Sequence, residues 1–490
     1  MIKIQNFING EFVEPNTKNY HDVYDPSTGK VYAQTPDSDA LDVVQAVQCA
    51  HKAFLKWSVT TPGDRAQVLA KIADLIEKKA PELAKAESQN VGKPYKLALE
   101  SDLQRTVFNF RYFASKIVAE TDQSAISYQK NPENPDKPLN FLNYVVRQPV
   151  GVAALIAPWN LPLYTLTWKL APCLAMGNVA ICKPSETTPV TAFMLADILK
   201  EAGLPPGVVN IVFGNGKNVG TPLAQHPGIR LLSFTGSTET GGQLQKLTAG
   251  QFKRMSLEMG GKNANIIFSD ANMKNAIDGT LRASFLNSGQ VCLSGSRLLV
   301  QEDIYKEFVP ELVRRTQELK VGDPGDPDTF MGPLVSKEQL AKVESSMEQA
   351  RQERGKILCG GERLNLGGEL AGGYFYKPTI IEDLTMCSDL WQKEIFGPVI
   401  TVMSFKYEHE AVKWANTSSY GLSSSIWTEN SSRAHRVAAQ IQAGTVWVNS
   451  WSMRDPRVPF GGIKASGMGR EGGEYSMQFY SDIKTICVKY

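Results

Sequence analysis

A cysteine on a glycine-flanked loop is the first residue of the sequence with potential for chemistry. Cys292 lies in the segment FLNSGQVCLSGSR, just before the apolar stretch SRLLVQ, and Gly289 and Gly295 allow tight backbone turns beside it. A thiol on such a loop can be exposed to a substrate and act as a nucleophile. Because a free cysteine is by itself more often a small buried residue, this interpretation depends on the companion motifs.

Two further polar residues suit a reaction that passes through a thioester. Glu258 lies between Leu257 and Met259 in MSLEMGGKN, where partial desolvation raises a carboxyl pKa towards neutrality, as a general base requires. Asn160 lies in IAPWNLP, a turn fixed by two prolines, and its amide can donate to an oxyanion together with the backbone N–H of Cys292. Each residue alone also fits a simpler role, as a surface carboxylate at a strand end and as a turn asparagine.

Three segments indicate a dinucleotide site. ICKPSETTP ends a predicted strand, where Lys183 and Glu186 are placed to bind ribose hydroxyls, although the same residues also suit a helix start. A carboxylate there repels a 2′-phosphate, which favours NAD over NADP. In LLSFTGSTETG, Ser237 opens a helix whose free N–H groups can hold a pyrophosphate. Gly216 belongs to FGNGKNVG, whose glycine spacing departs from the standard fingerprint and is a weak indication.

The elements that must position these residues follow an α/β pattern. Residues 7–34 are predicted as short strands, and helical periodicity covers 39–53, about 64–90 and 97–117. From residue 150, short apolar runs alternate with helical stretches, which predicts a parallel sheet with ligands at the carboxyl ends of its strands. A second α/β series extends to about residue 460. The polar segment 128–138 contains three prolines and is predicted as an exposed excursion between extended segments.

Bulk composition narrows the class of protein. The 490 residues exceed the roughly 250–300 at which a single core stops growing, so two large lobes are expected. A net charge of +2 gives no reason to propose nucleic acid or a membrane surface as a partner. The seven cysteines are widely spaced without CxxC, and the five histidines form no HxH or HExxH pair, which disfavours a disulfide framework and a metal site. With no signal-peptide pattern, we expect a cytoplasmic protein.

Together these motifs resemble the aldehyde dehydrogenase superfamily. APWNLP, KPSE, FTGS, LEMGGKN, GQVC, EIFGPV and PFGGIKASGMGRE occur in that family's order and approximate spacing, and the likeness runs from Phe7 to the C-terminus. The resemblance implies a Rossmann-like cofactor-binding domain, an α/β catalytic domain and a small β oligomerisation arm in a homo-oligomer. The corresponding ranges are 1–125 with 148–255 for the NAD-binding domain, 256–460 for the catalytic domain, and 126–147 with 461–490 for the arm.

The resemblance also implies a role for each motif residue. Cys292 is the nucleophile, Asn160 and the Cys292 amide form the oxyanion hole, and Glu258 activates water to hydrolyse the thioester. NAD is the implied cofactor. Its expected ligands are Lys183 and Glu186 at the adenosine ribose, Ser237 at the pyrophosphate, Glu394 and Phe396 at the nicotinamide ribose and ring, and Ile156 and Trp159 along the cleft, with the glycine cluster at Gly216 nearby.

A narrower resemblance concerns the substrate. NFRYFAS, PWNLPLYTLTWK, VCLSGSR and WSMRDPRVPFGG are similar to the branch of this family that oxidises muconate semialdehydes. This implies 2-aminomuconate 6-semialdehyde as substrate, with 2-hydroxymuconate semialdehyde or another carboxylated semialdehyde as the alternative. In that branch two arginines bind the substrate carboxylate; the matching residues are Arg111 and Arg454, with Arg457 a competitor for Arg454. A guanidinium binds a carboxylate in bidentate fashion, although Arg111 also fits a solvated helix position.

Two other classes of protein compete with an oxidoreductase. A cysteine hydrolase or acyltransferase would use Cys292 with a histidine partner, and none of the five histidines lies in a recognisable catalytic setting. A catalytically silent protein on the same scaffold would not need Cys292, Glu258 and Asn160 together. The sequence therefore favours NAD-dependent oxidation of an acidic aldehyde.

Overall fold

An eight-stranded sheet organises the first lobe. The computed structural model describes residues 1–119 and 124–490, so residues 120–123 of the predicted NAD-binding domain lie outside the described residues. In spatial order the strands of this sheet are Gly467–Met468, Arg254–Glu258, Leu231–Thr235, Val152–Ile156, Val179–Lys183, Val209–Ile211, Asn6–Ile8 and Glu11–Val13. The five strands from Arg254–Glu258 to Val209–Ile211 are parallel, and the outer ones pair antiparallel.

The strand order of this sheet reverses next to Val152–Ile156. The chain moves outward through Val179–Lys183 and Val209–Ile211 on one side, then returns to Leu231–Thr235 on the other. A crevice opens beyond the carboxyl ends of the strands at such a reversal, and ligands bind there. The two strands Val152–Ile156 and Val179–Lys183 are buried along their full length, as expected for parallel strands covered by helices on both faces.

A seven-stranded sheet organises the second lobe. Its strands, in spatial order, are Lys356–Cys359, Thr379–Glu382, Val399–Phe405, Arg297–Gln301, Ala264–Ile267, Ser423–Trp427 and Thr445–Val448. All neighbours pair parallel except the first two. The two parallel sheets confirm the predicted α/β class.

Smaller sheets complete the strand inventory. One joins Ser124–Gln129, Leu139–Pro149 and Ser481–Lys489 in antiparallel pairing. Another joins Ile2–Lys3, Lys30–Pro36 and Tyr20–Asp25, and a two-stranded ribbon joins Tyr420–Gly421 to Ile463–Lys464. The predicted excursion over 128–138 is confirmed in outline, since residues 130–138 connect two strands without regular structure and are mostly exposed.

Helices cover both large sheets. Those of the first lobe are Ala40–Trp57, Pro62–Lys78, Ala80–Val91, Tyr95–Leu97, Gln104–Val118, Pro162–Ala175, Val190–Glu201, Thr221–Gln225, Thr238–Thr248 and Gly473–Phe479. Those of the second are Met273–Phe285, Glu302–Gln317, Lys337–Gln352, Asp389–Gln392, Glu408–Asn416 and Ser431–Gln440. Shorter π and 3₁₀ turns are Ala98–Leu103, Gly216–Gly220, Ala249–Gln251, Leu286–Gly289 and Gly368–Leu370. Across residues 1–119 and 124–490, no helix combines the length and apolar character needed to cross a bilayer.

Local capping chemistry explains where several helices begin. Asp39 and Asp42 form a capping box before Ala40–Trp57, and Thr61 with Asp64 forms another before Pro62–Lys78. The predicted helix over 64–90 is divided at Lys79, which ends one helix and starts the next. The division places Pro81 in a first turn, where its missing N–H is tolerated.

The domain assignment stays a prediction, but two strands refine it. Arg254–Glu258 spans the predicted boundary at residues 255 and 256, and all of it belongs to the first sheet. Gly467–Met468 also joins that sheet, at its edge, although residues 461–490 were expected in the arm. Glu258, the last residue of Arg254–Glu258, therefore belongs to the first sheet.

Candidate active site

The carboxyl ends of the first-sheet strands and the amino ends of the second-sheet strands meet at one cavity. Asn160 and Ser237 follow the carboxyl ends of first-sheet strands, whereas Cys292 and Glu394 precede strands of the second sheet. The second lobe thus contributes residues from the amino ends of its strands, which strand patterning had not indicated. A cavity of about 480 Å³ is lined by residues of both lobes, among them Trp159, Asn160, Ser237, Cys292, Glu394 and Phe396.

The nucleophile loop is held by hydrogen bonds from other segments. The Asn263 amide donates to the backbone oxygens of Cys292, at 2.7 Å, and Ser294, at 2.8 Å. Trp451 Nε1 donates to the Leu293 oxygen at 2.8 Å. Gly289 has φ +68°, and a Cβ there would lie 2.2 Å from a backbone oxygen, so the loop requires glycine at this turn. These contacts fix the position of the Cys292 thiol at the cavity wall.

The Cys292 thiol is protonated at neutral pH in this environment. Burial raises its pKa to about 12, and the carboxyl groups of Glu394 and Glu258 act in the same direction. The guanidinium of Arg454 opposes them. Because only the thiolate is a strong nucleophile, a nearby base must accept the thiol proton before attack.

Glu258 is suited to be that base. It is the last residue of its strand and is 4% exposed, and among the described residues neither carboxylate oxygen has a hydrogen-bond partner. Burial raises its pKa well above the usual range, with Glu471 adding to the effect and Lys169 and Arg454 opposing it. A buried, unpartnered carboxyl with a raised pKa is, once ionised, a stronger base than an exposed carboxylate, which suits it to accept a proton from the thiol.

A buried ion pair lies behind Glu258. Lys169 Nζ donates to Glu471 Oε1 at 2.7 Å and to the Ser233 hydroxyl at 3.0 Å. Lys169 is fully buried. This neighbouring cation partly offsets the charge of an ionised Glu258.

Asn160 is anchored through its backbone. Its carbonyl oxygen accepts hydrogen bonds from Lys93 Nζ at 3.0 Å and from the Asn287 amide at 3.2 Å. Its side-chain nitrogen donates to the Gln290 oxygen at 2.9 Å. Because an amide nitrogen carries two hydrogens, the second can donate to an oxyanion in the cavity.

The predicted dinucleotide residues follow strands of the first sheet. Lys183 ends its strand and donates to Glu186 at 3.1 Å, and Ile156 pairs with Lys183 across the sheet at its buried end. Ser237 caps the helix Thr238–Thr248 and accepts from the backbone N–H of Thr240 at 3.2 Å. The N-terminus of this 11-residue helix faces the cavity. Such a terminus is suited to a pyrophosphate.

Glu394 and an aromatic pair form the far side of the cavity. The Glu394 carboxylate accepts from the Gly261 N–H at 3.0 Å, and burial raises its pKa to about 7. A Cβ at Gly260 would lie 2.1 Å from Glu394 Oε2, so the backbone must lack a side chain there. The rings of Trp159 and Phe396 meet edge to face with centroids 5.1 Å apart. Glu394 thus places a polar group beside an apolar aromatic surface, a combination that suits a small-molecule site.

The glycine cluster contributes less directly. Gly216 begins a short π turn over Gly216–Gly220 and lines none of the cavity described above. Gly220, at the end of the turn, lies against the aliphatic part of Lys183, since a Cβ there would be 3.9 Å from Lys183 Cδ. The turn therefore packs against the Lys183 side chain.

Arg454 lies in an aromatic box close to the reacting residues. Its guanidinium carbon is 4.0 Å from the Phe460 ring centroid and 4.8 Å from that of Trp168, and it donates to the Tyr164 hydroxyl. On the other side of the box, the guanidinium carbon of Arg105 is 5.7 Å from the Tyr164 ring. Arg105 was not among the residues predicted from the sequence.

The other two predicted arginines point elsewhere. Arg111 is 46% exposed at its side chain and binds Glu77 and Asp74 on the outer face of its helix. Arg457 forms a bidentate pair with Asp455 and is largely exposed. The structure therefore does not bring Arg111 or Arg457 to the box around Arg454.

Helical phase explains why Arg105, and not Arg111, contacts Tyr164 in the box around Arg454. Six residues rotate an α-helix by about 600°, so two positions six apart lie about 120° from each other around the axis. Phe110 and Phe113 lie on the buried face, in the wider arc of about 240° between the two arginines, so the arginines flank that face on opposite sides. The buried stripe was visible in the sequence, but the side that faces Arg454 depends on how the helix packs.

Comparisons with known proteins agree with this geometry. Residues 12–486 match the model of the aldehyde dehydrogenase family. The chain is 47% identical over 492 residues to 2-aminomuconic semialdehyde dehydrogenase of Bos taurus, covering 100% of this chain and 99% of that protein. It is 42% identical over 493 residues to 2-hydroxymuconic semialdehyde dehydrogenase of Pseudomonas sp. (strain CF600), covering 100% of both. An NAD+ complex of aldehyde dehydrogenase from Bacillus cereus superposes with a TM-score of 0.94 at 40% identity, covering 99% of this chain and 96% of that one.

Proposed function

The chain belongs to the aldehyde dehydrogenase family, and we propose that it oxidises 2-aminomuconate 6-semialdehyde to 2-aminomuconate with NAD. The observation that carries the substrate class is the pair Arg105 and Arg454, which both contact Tyr164, with the charge of Arg454 also acting on the Cys292 thiol. A substrate with an aldehyde at one end and a carboxylate at the other can span from Cys292 to these cations. The full-length identity to relatives named for muconate semialdehydes supports the same class.

The first half-reaction uses Cys292, Glu258 and Asn160. Glu258 accepts the Cys292 thiol proton, and the thiolate attacks the aldehyde carbon, forming a C–S bond and an alkoxide. The second N–H of the Asn160 amide and the backbone N–H of Cys292 stabilise this oxyanion, an interaction that strengthens as charge develops. NAD, when bound, would supply the hydride acceptor beside the tetrahedral carbon, and loss of that hydride leaves a thioester on Cys292.

The second half-reaction returns the enzyme to its starting state. Glu258 first releases the thiol proton to solvent, and its carboxylate then takes a proton from a water molecule whose oxygen attacks the thioester carbon. The C–S bond breaks, the Cys292 sulfur recovers the proton held by Glu258, and the acid leaves as its carboxylate after losing a proton to solvent. The raised pKa of Glu258 makes its carboxylate a stronger base than an exposed glutamate, and Lys169 limits how far that pKa rises.

The residues around the cavity are suited to hold NAD. Lys183 and Glu186 would bind the adenosine ribose, and the helix that starts after Ser237 would bind the pyrophosphate. Glu394 would accept hydrogen bonds from the nicotinamide ribose, with Phe396 beside the ring. Ile156 and Trp159 would line the walls of the same cleft.

The carboxylate end of the substrate would bind to Arg454. The Phe460 and Trp168 rings limit solvent around the guanidinium, and charge-assisted hydrogen bonds are stronger where water is excluded. Arg105 adds a second cation, and it is fixed by a 3.4 Å hydrogen bond to the Ser452 oxygen. Two positive charges in one box favour an anion over a neutral group.

A paired panel of aldehydes tests the proposal. We expect Arg454→Ala and Arg105→Ala to lower kcat/KM for 6-oxohexanoate by about 10–100-fold, since one charge-assisted hydrogen bond contributes about 1.5–3 kcal/mol. Hexanal, which lacks the carboxylate, should change by less than about threefold by the same reasoning. Arg111→Ala is the matched control, because it removes an arginine of the same helix that faces Glu77. NADH formation measures each rate.

Two results would discard the carboxylate clamp. One is an equal loss for 6-oxohexanoate and hexanal in the Arg105 and Arg454 variants. The other is an effect of Arg111→Ala as selective as theirs. Absence of NADH with every aldehyde, together with ester hydrolysis, would instead support the cysteine hydrolase.

The runner-up substrate is 2-hydroxymuconate semialdehyde. It carries the same aldehyde and carboxylate, and the relative from Pseudomonas sp. (strain CF600) is named for it. The ratio of kcat/KM for the amino and hydroxy substrates decides between them, and a ratio that favours the hydroxy compound would replace the first choice.

The arm is suited to pair with a second copy of the chain. On the sheet formed by Ser124–Gln129, Leu139–Pro149 and Ser481–Lys489, the apolar side chains of Ile126 and Ile483 are 57% and 60% exposed. Exposed apolar residues on a sheet favour association. Sedimentation velocity of the full chain tests the expected homo-oligomer, and a monomer at micromolar concentration would contradict it.

A further inference from the structure

Tyr164 lies between the two arginines of the box. It belongs to the first turn of the helix Pro162–Ala175, four residues after Asn160, and is only 6% exposed. The guanidinium carbons of Arg105 and Arg454 are each 5.7 Å from its ring centroid. One buried ring therefore contacts both cations, which belong to segments far apart in the chain.

The Tyr164 ring offsets the repulsion between these cations. Two guanidinium groups that share a partly desolvated box repel each other, and the negative face of an aromatic ring attracts both. Arg454 also contacts Phe460 and Trp168, whereas the ring contact of Arg105 is with Tyr164. Tyr164 is the side chain that links the two arginines.

Arg454 fixes one hydrogen-bonding role of the Tyr164 hydroxyl. It accepts a hydrogen bond from Arg454 Nη1. A phenol both donates and accepts, so this contact leaves its own hydrogen free to donate. The hydroxyl oxygen lies beside the Arg454 guanidinium, so an anion that binds this guanidinium would approach the Tyr164 hydroxyl.

We propose that Tyr164 is a specificity-determining residue, whose hydroxyl orients Arg454 and donates a further hydrogen bond to the substrate carboxylate. This inference rests on the proposed function, since it takes the Arg105 and Arg454 box as the carboxylate site. Tyr164 is placed on the same short segment as Asn160. The segment thus carries the oxyanion donor at one end and a carboxylate donor one helical turn later, which sets the distance between the two ends of the substrate.

Removal of the hydroxyl alone tests the proposal. In Tyr164→Phe the ring remains, so the two arginines keep their aromatic contact. We expect KM for 6-oxohexanoate to rise about tenfold, since a net hydrogen bond to a charged group contributes at least about 1.5 kcal/mol. The kcat for the same substrate and both constants for hexanal should stay within about twofold, because the reacting end is unchanged. Tyr112→Phe is the matched control, a tyrosine on the Arg105 helix whose ring meets Phe113 edge to face.

Removal of the ring separates its role from that of the hydroxyl. Tyr164→Leu should raise KM for 6-oxohexanoate further than Tyr164→Phe, because the two guanidinium groups lose their shared aromatic contact. Adipate, a non-reacting dicarboxylate, supplies an independent readout. Its inhibition constant should increase in the order wild type, Tyr164→Phe, Tyr164→Leu.

The outcomes distinguish this inference from the proposed function. If Arg105→Ala and Arg454→Ala discriminate against the acid but Tyr164→Phe does not, the role of Tyr164 is wrong and the clamp stands. If Tyr164→Phe weakens acidic and neutral aldehydes equally, its role is structural and the inference is also wrong. If the arginine variants themselves fail to discriminate, the proposed function fails and this inference fails with it.

Discussion

Lys93 Nζ donates a 3.0 Å hydrogen bond to the backbone oxygen of Asn160, so a fully buried cation lies behind the residue whose amide faces the cavity. The same ammonium pairs with Asp102 and lies 3.7 Å from Glu87. Glu87 is in turn bonded by the Thr191 hydroxyl at 2.7 Å. Asn160 is therefore anchored to a buried charge cluster within the first lobe.

Lys93→Met should destabilise the protein. It leaves two buried carboxyl groups without their cation, and breaking a buried pair costs about 3–5 kcal/mol. Urea unfolding measures the shift in midpoint. The double variant Lys93→Met/Asp102→Asn should recover part of the loss, because it removes one of the uncompensated charges. An unchanged midpoint in the single variant would contradict this account.

Asn160→Ala should slow catalysis without loss of cofactor binding. Removing one oxyanion donor typically lowers kcat by about 10²–10³. The hydrogen bonds from Lys93 and Asn287 reach the backbone oxygen and survive the substitution. Stopped-flow NADH formation measures the rate, and quenching of tryptophan fluorescence by NAD measures binding. A rate within tenfold of wild type would argue against Asn160 as an oxyanion donor.

Glu258→Gln should separate the two half-reactions. A glutamine cannot take a proton from water, so the thioester accumulates. When Cys292 is first ionised by raising the pH, one equivalent of NADH per active site should appear in a burst, followed by a steady rate at least about 10² below wild type, within the usual range for a lost general base. Mass spectrometry of the quenched enzyme should find the acyl group on Cys292. Multiple turnovers at the wild-type rate would rule out this role for Glu258.

NAD binding should depend on the ionisation of Glu394. Burial raises the pKa of this carboxyl to about 7, so the group is ionised above that pH and protonated below it. Only the ionised form accepts hydrogen bonds from both ribose hydroxyls. We expect KM for NAD to increase as pH falls through about 7.

Glu394→Gln provides the control for that titration. The amide cannot ionise, so KM for NAD should be raised at alkaline pH and should lose its change near neutrality. A variant that keeps the wild-type pH profile would assign the titration to another group.

Much of the fold followed from local pattern. The alternation of apolar runs and helical stretches after residue 150 predicted the strands Val152–Ile156, Val179–Lys183 and Leu231–Thr235, and each is confirmed. Buried parallel strands and amphipathic helices carry their signal within ten or twenty residues, which is why they can be predicted from sequence. The second-sheet strands Lys356–Cys359, at the sheet edge, and Thr379–Glu382, next to it, were not predicted; each has four residues, which is too few to establish a periodicity.

The sequence by itself determined which chemistry is available. Cys292, Glu258 and Asn160 stand in motifs whose order and spacing identify the family, and that identification is confirmed by the match over residues 12–486. Each of these residues alone also fits a simpler role, so the combination of motifs, rather than any single local setting, makes them candidates for catalysis.

Only the tertiary structure decided which distant groups act on that chemistry. Arg105 rather than Arg111 meets Arg454, because helix packing selects one side of the helix. Lys93 anchors Asn160 from 67 residues away, and Glu471 reaches Lys169 across 302 residues. The ionisation of the buried groups also depends on burial, which exists only once both lobes enclose the cavity. These properties depend on contacts between residues that are far apart in the chain, so no single segment of the sequence contains both members of a contact.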